Sequence, residues 1–522
     1  MATTWRRRMR YVAVVGAIGS LLLAGQAMAA PGGNGWTSAG GDRQNTRSQA
    51  SESKISPATV GNLTERWHLV TGGDVSATPA VDGQRVYAPD WAGNLYAVDR
   101  RSGSVDWQRT ISSYTGVPND KARVTPAVTQ DRLVLGNQGP FGGGGMVFAV
   151  DKNTGDLLWK TQLDDHPAAI ITQSATVFDG VVYVGTASQE ELLSAVVPGY
   201  DCCTFRGAVA ALDLETGKLL WKTLMTPADY PGNAVWGSSP AIDTKRGSVY
   251  VATGNNYDAP PEALVCVDAA TTTGQKQACL PADNHFDSIL SLDMRTGAVK
   301  WATRALDFDA WTVDCIPFIG DGANCPEPSG PDFDFGQAPA LYTVKSGPAK
   351  GSQFVGAGQK SGQYWALDPD TGAKKWVTQA GPGGTAGGLQ WGSAVDGRRV
   401  YTANANSNGI PWPGPGGATT GVWSALDAGT GQLIWETRPP HGGATSGPVT
   451  TANDVVFGCS LDPSGWMYAL DAATGEVLWE FESGGSCLSG AAISNGSVYW
   501  GTGYSNFGFG TAKNRLYAFD LG

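Results

Sequence analysis

Histidine and positive charge are both scarce in this 522-residue chain. It has four histidines, and 36 Lys and Arg stand against 47 Asp and Glu, for a formal net charge of −11. This acidic balance argues against nucleic-acid binding through a basic surface. His68, His166, His285 and His441 show neither metal-ligand spacing nor a partner nucleophile. The chain also lacks a Ser-His-Asp arrangement, a phosphate-binding Gly loop, a Rossmann fingerprint and the Cys-x-x-Cys-His motif that attaches c-type haem.

The N terminus has the features of a targeting segment. Residues 1–29 begin with a basic cluster that includes Arg6 and Arg10, continue with an apolar run and end in Ala27-Met28-Ala29. This order predicts a secretory signal peptide cleaved near Ala29, followed by a secreted or periplasmic mature chain, 30–522. A retained membrane anchor is the alternative, but the run is short for a bilayer span. We expect no stable membrane insertion after cleavage.

Cysteine is also sparse, with eight residues, and export permits disulfides. Their short gaps suggest the pairs Cys266–Cys279, Cys315–Cys325 and Cys459–Cys487, which spacing alone does not prove. Cys202 and Cys203 are adjacent. They cannot both enter one core from a regular strand, because successive side chains alternate faces, and they are too close to act comfortably as two ligands of a tetrahedral metal.

A repeat occupies the rest of the chain. An apolar run followed by Asp-x-x-Thr-Gly-x-x-x-Trp, with Ser for Thr in the first copy, recurs seven times, ending at Trp107, Trp159, Trp221, Trp301, Trp376, Trp435 and Trp479. An eighth copy, "YAFDLG", stops at the last residue. The apolar run predicts a strand, and Asp with Thr-Gly predicts a tight turn into a second, Trp-bearing strand. Another strand pair precedes each copy.

These units predict an all-β, eight-bladed β-propeller of four-stranded antiparallel blades, in a single domain. The last unit lacks its Trp-bearing strand, and "LTERWHLVTG" with Trp67 is the candidate that supplies it and closes the ring. We interpret the repeated tryptophans as structural wedges between blades.

Oxygen-bearing side chains follow neighbouring strands of the third and fourth units. Glu190 and Asn255 each come after a strand, and Asp309 and Asp314 follow a Trp strand. Carboxylate and amide oxygens suit a hard cation such as Ca²⁺. Taken alone the signal is weak, since loop Asp and Asn usually make turns.

The repeat resembles the tryptophan-docking motif of the quinoprotein alcohol dehydrogenases, which are secreted eight-bladed propellers that carry pyrroloquinoline quinone (PQQ) and usually Ca²⁺. The resemblance covers nearly the whole mature chain. Without a haem segment, the chain is similar to the haem-free members and most similar to the polyvinyl alcohol dehydrogenases. The resemblance implies oxidation of an alcohol substrate, with electrons passed to an external acceptor such as cytochrome c.

The resemblance also implies site residues. Thr172 and Glu190 keep the family's eighteen-residue spacing, which makes Glu190 the expected metal ligand with Glu191 as the fallback. Asn255 is the second expected ligand. Thr172 is also an expected cofactor contact. The remaining ones are Trp236 as the floor under the quinone, Lys360 at the quinone oxygens, Arg123 at a cofactor carboxylate and Trp391, after Gln390, where the family commonly has Asn-Trp.

Two departures from the family pattern leave alternatives open. The family places a disulfide between adjacent cysteines against one face of PQQ, but Cys202–Cys203 follows Glu190 instead of preceding it by one blade. Either a different loop reaches over the cofactor or the pair is structural. Thr312 stands where the family has its catalytic Asp, so Asp309 or Asp314 takes that role. We favour Asp314, because a neighbouring disulfide at Cys315 would fix its loop. Asp314 would also be the extra ligand if the cation is a lanthanide.

Two other functions use the same repeat. Propellers of this kind serve as non-catalytic scaffolds in outer-membrane protein assembly, and others bind carbohydrate or polymer. The adjacent cysteines and the Glu, Asn and Lys set favour the enzyme.

Overall fold

The computed structural model describes residues 1, 35–414 and 416–522. Its strands form eight four-stranded antiparallel sheets, so the predicted eight-bladed propeller is confirmed. Blade 1 consists of Ala80–Val81, Arg85–Pro89, Asn94–Asp99 and Val105–Thr110, and blade 2 of Ala127–Val128, Arg132–Gly136, Gly145–Asp151 and Leu157–Asp164. Blade 3 consists of Thr176–Phe178, Val181–Gly185, Ala208–Asp213 and Leu219–Leu224. Blade 4 consists of Ala241–Asp243, Ser248–Ala252, Ser288–Asp293 and Val299–Arg304.

Blade 5 consists of Ala340–Thr343, Gln353–Gly358, Gln363–Leu367 and Lys374–Gln379. Blade 6 consists of Ala394–Val395, Arg399–Asn404, Val422–Asp427 and Leu433–Thr437. Blade 7 consists of Thr450–Ala452, Val455–Cys459, Trp466–Asp471 and Val477–Glu482. Blade 8 combines Ala492–Ser494, Ser497–Thr502 and Arg515–Leu521 with the early strand Leu63–Val70. The segment around Trp67 therefore closes the ring, as predicted.

The remaining elements are short and lie in connections. The α-helices are Ile111–Thr115, Glu190–Val196, Pro261–Ala269 and Thr273–Ala278; the 3-10 helices are Val60–Asn62, Val313–Cys315 and Asn506–Gly508; and Ala169–Ile170 pairs with Ala187–Ser188. Among the described residues, no helix is long and apolar enough to cross a membrane. The predicted signal peptide, apart from Met1, lies outside the described residues.

Each repeated tryptophan joins its blade to the next one. The indole Nε1 of Trp159, for example, donates to the carbonyl of Leu214 at 2.8 Å, and that of Trp479 donates to Leu63 at 3.0 Å. The glycine of the following turn lies against the indole ring: a Cβ built on Gly217 would come within 2.4 Å of Trp159. The tight turn of each motif therefore packs on the tryptophan ring of the preceding blade. This packing confirms the structural role of the tryptophans.

This coupling gives a stability prediction with a matched control. Gly217→Ala and Gly180→Ala both place a side chain at positive φ, 70° and 75°, but nothing lies within 4 Å of a Cβ at Gly180. Each substitution should cost about 1 kcal/mol from the backbone conformation, and Gly217→Ala a further 1–3 kcal/mol, roughly, from overpacking. Urea denaturation measures the free energy of unfolding of each variant. Equal destabilisation of the two variants would contradict the packing of the Gly217 turn on Trp159.

Residues 35–52, here called the collar, run around the propeller axis against the first strands of the blades. Backbone carbonyls of the collar accept N–H groups from the first strands of six blades. The pairs with blades 2, 4, 5, 6 and 7 are Thr37–Val128, Arg43–Ile242, Gln44–Leu341, Thr46–Val395 and Arg47–Thr451. Trp36 pairs with Val81 of blade 1, and Gln49 reaches Ile493 of blade 8. The collar was not predicted from the sequence.

Three disulfides form the pairs that the cysteine spacing suggested, and a fourth joins the adjacent cysteines, as the family resemblance implied. Cys266 is bonded to Cys279, Cys315 to Cys325 and Cys459 to Cys487, and the adjacent Cys202 and Cys203 are bonded to each other.

Candidate active site

The candidate residues all lie in two kinds of loop. Glu190, Asn255 and Lys360 lie between the second and third strands of blades 3, 4 and 5, whereas Trp236 and Asp309 lie in connections from one blade to the next. In an antiparallel blade these two kinds of loop open on the same face. The Asp-x-x-Thr-Gly turns lie on the opposite face. The topology therefore gathers the predicted site at one end of the axis.

A lysine surrounded by carboxylates lies on this face. Lys360 is buried, and its Nζ lies 2.7 Å from Asp332 Oδ1 and 3.4 Å from Asp334 Oδ2. Burial alone lowers the pKa of Lys360, but the negative charges of Asp332, Asp334 and Glu191 outweigh it and raise this pKa above its usual value. Lys360 is therefore held as a cation.

Glu191, not Glu190, faces this group. The Oε1 atom of Glu191 is enclosed and has no hydrogen-bond partner among the described residues. Burial raises the pKa of the Glu191 carboxyl, the charge of Lys360 opposes the rise, and the charges of Asp334 and Asp309 add to it. An enclosed carboxylate oxygen without a donor is the type of atom that a cation would satisfy.

The carboxylate of Glu190 is occupied elsewhere. It accepts the N–H groups of Thr204 at 3.0 Å and Phe205 at 2.7 Å and the hydroxyl of Tyr200 at 3.0 Å. Burial raises its pKa, but His166 and these backbone donors outweigh it and hold the pKa below its usual value. Glu190 therefore braces the loop that carries Cys202 and Cys203. Of the two glutamates considered from the sequence, the fallback is the one placed beside Lys360.

Asp314 is likewise committed to its own loop. Its two carboxylate oxygens accept the N–H groups of Gly322 at 3.0 Å and Asn324 at 2.7 Å, within the loop closed by the Cys315–Cys325 disulfide. Among the described residues, the Asp314 carboxylate forms no ion pair with Lys360 and no hydrogen bond with Asn255. The expectation that the disulfide fixes this loop holds, but the loop directs the Asp314 carboxylate inward to its own backbone instead of toward the cluster.

Asp309 is the candidate base that lies in the cluster. It is fully buried, and its carboxylate accepts N–H groups from Asp332 at 3.1 Å and Phe333 at 2.7 Å. Burial raises the pKa of Asp309 above its usual value, and the charge of Asp334 contributes in the same direction. Asp309 is connected to the Lys360 group through Asp332, whose backbone N–H it accepts and whose carboxylate pairs with Lys360.

Asn255 is oriented by its amide group. Both amide hydrogens donate, to the carbonyls of Asn256 and Trp311 at 2.8 Å each, and its backbone N–H donates to Asp334. The Oδ1 atom accepts no hydrogen bond from the described part of the chain. This atom is therefore free to act as a neutral oxygen ligand.

Trp236 connects the carboxylate group to an apolar wall. Its Nε1 donates to Asp334 Oδ2 at 2.8 Å, and Lys360 Nζ lies 5.7 Å from the centre of its ring. Trp236 and Cys203 pack against the same cluster, which includes Phe205. The disulfide loop of blade 3 thus reaches the wall that carries the indole, which is the arrangement required if a different loop covers a planar cofactor.

The other predicted cofactor contacts line a neighbouring cavity on the axis. Thr172, Arg123 and Trp391 all line this cavity, which has room for water-sized groups of about 40 Å³. The guanidinium carbon of Arg123 lies 4.2 Å from the centre of the Trp391 ring, and Trp391 packs edge-on against Trp236 at 5.0 Å between ring centres. The indoles therefore join the cavity to the carboxylate group.

Within the described ranges, no three His, Cys, Asp or Glu side chains converge as a metal site by themselves. A cation at this face would need a mixed set of ligands, namely the enclosed oxygen of Glu191, the Asn255 amide oxygen and atoms of a bound cofactor. The excess of carboxylates over the single lysine supplies the negative charge that such a cation requires. The residues present fit a hard cation.

The chain has relatives among alcohol-oxidising enzymes. A family model described as outer membrane protein assembly factor BamB matches residues 38–126, 64–303 and 360–522. A polyvinylalcohol dehydrogenase from Sphingopyxis sp. (strain 113P3) is 32% identical over 424 residues, which are 77% of this chain and 58% of the relative. One from Pseudomonas sp. is 30% identical over 510 residues, which are 90% of this chain and 73% of the relative. The chain belongs to the family of PQQ-dependent alcohol dehydrogenases.

Solved structures agree on the fold of this PQQ-dependent dehydrogenase family. The quinohemoprotein alcohol dehydrogenase from Comamonas testosteroni superposes with a TM-score of 0.68 at 19% identity, covering 94% of this chain and 81% of that one. The predicted membership of the family, and with it the predicted enzyme class, is confirmed.

Two site residues were not predicted from the sequence, Asp332 and Asp334. The alternating carboxylates of "PDFDFG", directly before a blade, were the signal available.

Proposed function

We propose that this chain is an exported PQQ-dependent alcohol dehydrogenase that passes electrons to an external one-electron carrier such as cytochrome c. The observation that carries the proposal is that Asp334 joins three of the site residues: it accepts the Nε1–H of Trp236 and the backbone N–H of Asn255 and lies 3.4 Å from Lys360 Nζ. Cys203 packs against the same apolar cluster as Trp236. The proposed acceptor is external because the chain has no haem-attachment motif.

Several residues of the chain have separate roles in this proposed reaction. PQQ supplies two-electron oxidation of an alcohol carbon when it is bound, and a bound cation supplies Lewis-acid polarisation. Asp309 accepts the hydroxyl proton of the substrate at a carboxylate oxygen, as a general base. Lys360 places a fixed positive charge where negative charge develops. Trp236 and the Cys202–Cys203 disulfide, which pack against the same apolar cluster, would hold a planar ring and exclude water.

Glu191 and Asn255 are the proposed cation ligands. Each offers an oxygen without a donor from the described residues, and one carries charge whereas the other is neutral. This mixed pair suits Ca²⁺, and the nearby carboxylates make a lanthanide the alternative.

The proposed substrate is taken from the relatives. Both are named polyvinylalcohol dehydrogenase, and we propose polyvinyl alcohol as the substrate of this chain. Exposed apolar side chains do not single out the site face, because Phe141 and Phe318 lie in its loops whereas Leu158 and Leu220 lie in the fourth strands of blades.

Reconstitution tests the proposal. Protein produced without PQQ is incubated with PQQ and Ca²⁺, and tryptophan fluorescence and dye-linked oxidation of polyvinyl alcohol and of a short secondary alcohol are measured. We expect quenching of indole fluorescence on PQQ addition and alcohol-dependent dye reduction, both dependent on the cation. A protein that leaves PQQ unbound at every cation tested would contradict the proposal and favour a scaffold of the kind named in the family description.

A further inference from the structure

Asp287 is a buried carboxyl group to which the proposed reaction gives no role. Its side chain is fully enclosed, and no N–H group or hydroxyl of the described residues donates to either carboxyl oxygen. It also forms no ion pair within the described part of the chain. An ionised carboxylate in this place would have lost its water without gaining a donor or a counter-charge, so the neutral acid is the stable form.

The fold places Asp287 beside Asp309. Asp287 directly precedes the third strand of blade 4, Ser288–Asp293, and Asp309 lies in the connection from blade 4 to blade 5. The N–H of Asp287 donates to the carbonyl of Gly254 at 3.0 Å, and its own carbonyl accepts the N–H of Ala305 at 2.9 Å. The Asp287 backbone has a φ of 41°, in the left-handed region that aspartate tolerates. From this position its side chain hydrogen-bonds to the carboxyl group of Asp309.

This hydrogen bond requires a proton on one of the two carboxyls, because an ionised carboxylate only accepts. The donors around each group indicate which one carries it. Asp309 accepts the backbone N–H groups of Asp332 at 3.1 Å and Phe333 at 2.7 Å, which stabilise its ionised form. No such donor reaches Asp287 from the described residues. The proton therefore belongs to Asp287, whose O–H donates to Asp309.

The charges around Asp287 act in the same direction. Burial raises the pKa of the Asp287 carboxyl well above its usual value, and the negative charges of Asp309, Asp334 and Asp332 raise it further. The positive charge of Arg304 faces the same carboxyl. The Arg304 guanidinium, however, donates to backbone carbonyls of the preceding loop and forms no ion pair with Asp287 among the described residues.

We propose that Asp287 is a positioning residue for the base: as a neutral acid it donates its proton in a hydrogen bond to Asp309 and holds that carboxylate oriented and ionised. The inference rests on the proposed function, in which Asp309 is the base. The proton-transfer step breaks the alcohol O–H bond and forms an O–H bond on Asp309, while the O–H bond of Asp287 stays intact. The proton on Asp309 returns to solvent between turnovers.

Infrared spectroscopy of the full-length PQQ-free protein near neutral pH tests the position of the proton without any activity. We expect the difference spectrum between the wild type and Asp287→Asn to contain the carbonyl stretch of a protonated carboxyl group. Asp90→Asn is the matched control, because the buried Asp90 accepts the N–H groups of Gly72 and Asn94 at 2.8 Å each and should lose a carboxylate band. A carboxylate band in the Asp287→Asn difference spectrum would overturn the inference.

The pH profile of kcat/KM in the PQQ-loaded enzyme tests the effect on the base. The hydrogen bond from Asp287 lowers the pKa of Asp309 against the rise that burial causes. Asp287→Leu removes this donor, so the acid limb, where activity falls as the pH is lowered, should move up by about one to two pH units, the shift that matches a hydrogen bond to a charged group. Asp287→Asn keeps a donor and should restore the wild-type limb. Glu191 also faces Asp309, so each profile is recorded at saturating Ca²⁺.

An acid limb of Asp287→Leu that coincides with that of the wild type would overturn the inference, since a merely structural role would change Tm and leave the limb in place. If Asp287→Leu fails to fold, the infrared comparison with Asp287→Asn still decides it. A protein that shows the protonated carboxyl band but oxidises no alcohol when loaded with PQQ would sink the proposed function and leave the shared proton standing.

Discussion

Glu191→Gln is expected to raise the Ca²⁺ concentration needed for half-maximal PQQ retention by at least about 100-fold. Loss of a residue that only supports a ligand already costs about 10- to 100-fold in metal affinity, and a charged ligand should cost no less. The enclosed Oε1 of Glu191 has no other partner among the described residues, so the substitution removes the charge without breaking a hydrogen bond. Cation titration with tryptophan fluorescence as the readout measures the effect.

Glu190→Gln is the matched control for this variant. Its carboxylate accepts hydrogen bonds from the disulfide loop, at Thr204 and Phe205, so its loss should lower Tm while changing the Ca²⁺ requirement less than tenfold, roughly, as expected for a residue outside the ligand set. The reverse order, with Glu190→Gln needing far more Ca²⁺ than Glu191→Gln, would return the ligand role to Glu190.

Asp309→Asn is expected to lower kcat by about 10²- to 10⁴-fold, the usual contribution of a general base. PQQ binding, followed by fluorescence, should persist, because the substitution leaves Trp236 and Lys360 in place. Asp314→Asn is the control: its carboxylate holds the Cys315–Cys325 loop, so the change should lower Tm and leave most of kcat. Retained activity in Asp309→Asn together with lost activity in Asp314→Asn would reverse the assignment of the base.

The same residue predicts the direction of the pH dependence. A general base acts when deprotonated, and burial raises the pKa of Asp309 above its usual value. The kcat/KM should therefore fall as the pH is lowered through the raised pKa, at a pH above about 4, where an ordinary aspartate titrates. A profile that stays flat down to pH 4 would contradict the role of Asp309.

The fold was predictable because one motif fixes several physical constraints at once. Asp, Gly and Trp at set spacings specify a turn, a positive φ and a wedge against the next blade, and seven copies leave little room for another architecture. The collar carries none of these signals. Residues 35–52 have few apolar side chains and form almost no strand of their own, so only the assembled ring, with backbone groups exposed on its first strands, gives them a structure.

The site was only partly predictable because neighbouring residues in a loop point in different directions. Spacing selects the loop that carries Glu190 and Glu191, but which of the two faces Lys360 depends on Thr204 and Phe205, whose N–H groups donate to the carboxylate of Glu190. The same applies to Asp314, whose loop closes on its own backbone. Which backbone N–H groups donate to a loop carboxylate depends on the folded arrangement of the loops, which sequence spacing does not give.

A crystal structure of the protein soaked with PQQ and Ca²⁺ tests the central claim most directly. The account predicts a planar ring on the indole of Trp236, covered by the Cys202–Cys203 disulfide, with a cation bound to Glu191 and Asn255 and Lys360 at the edge of the ring. Density for PQQ elsewhere on the chain, or a cation bound away from both Glu191 and Asn255, would contradict it.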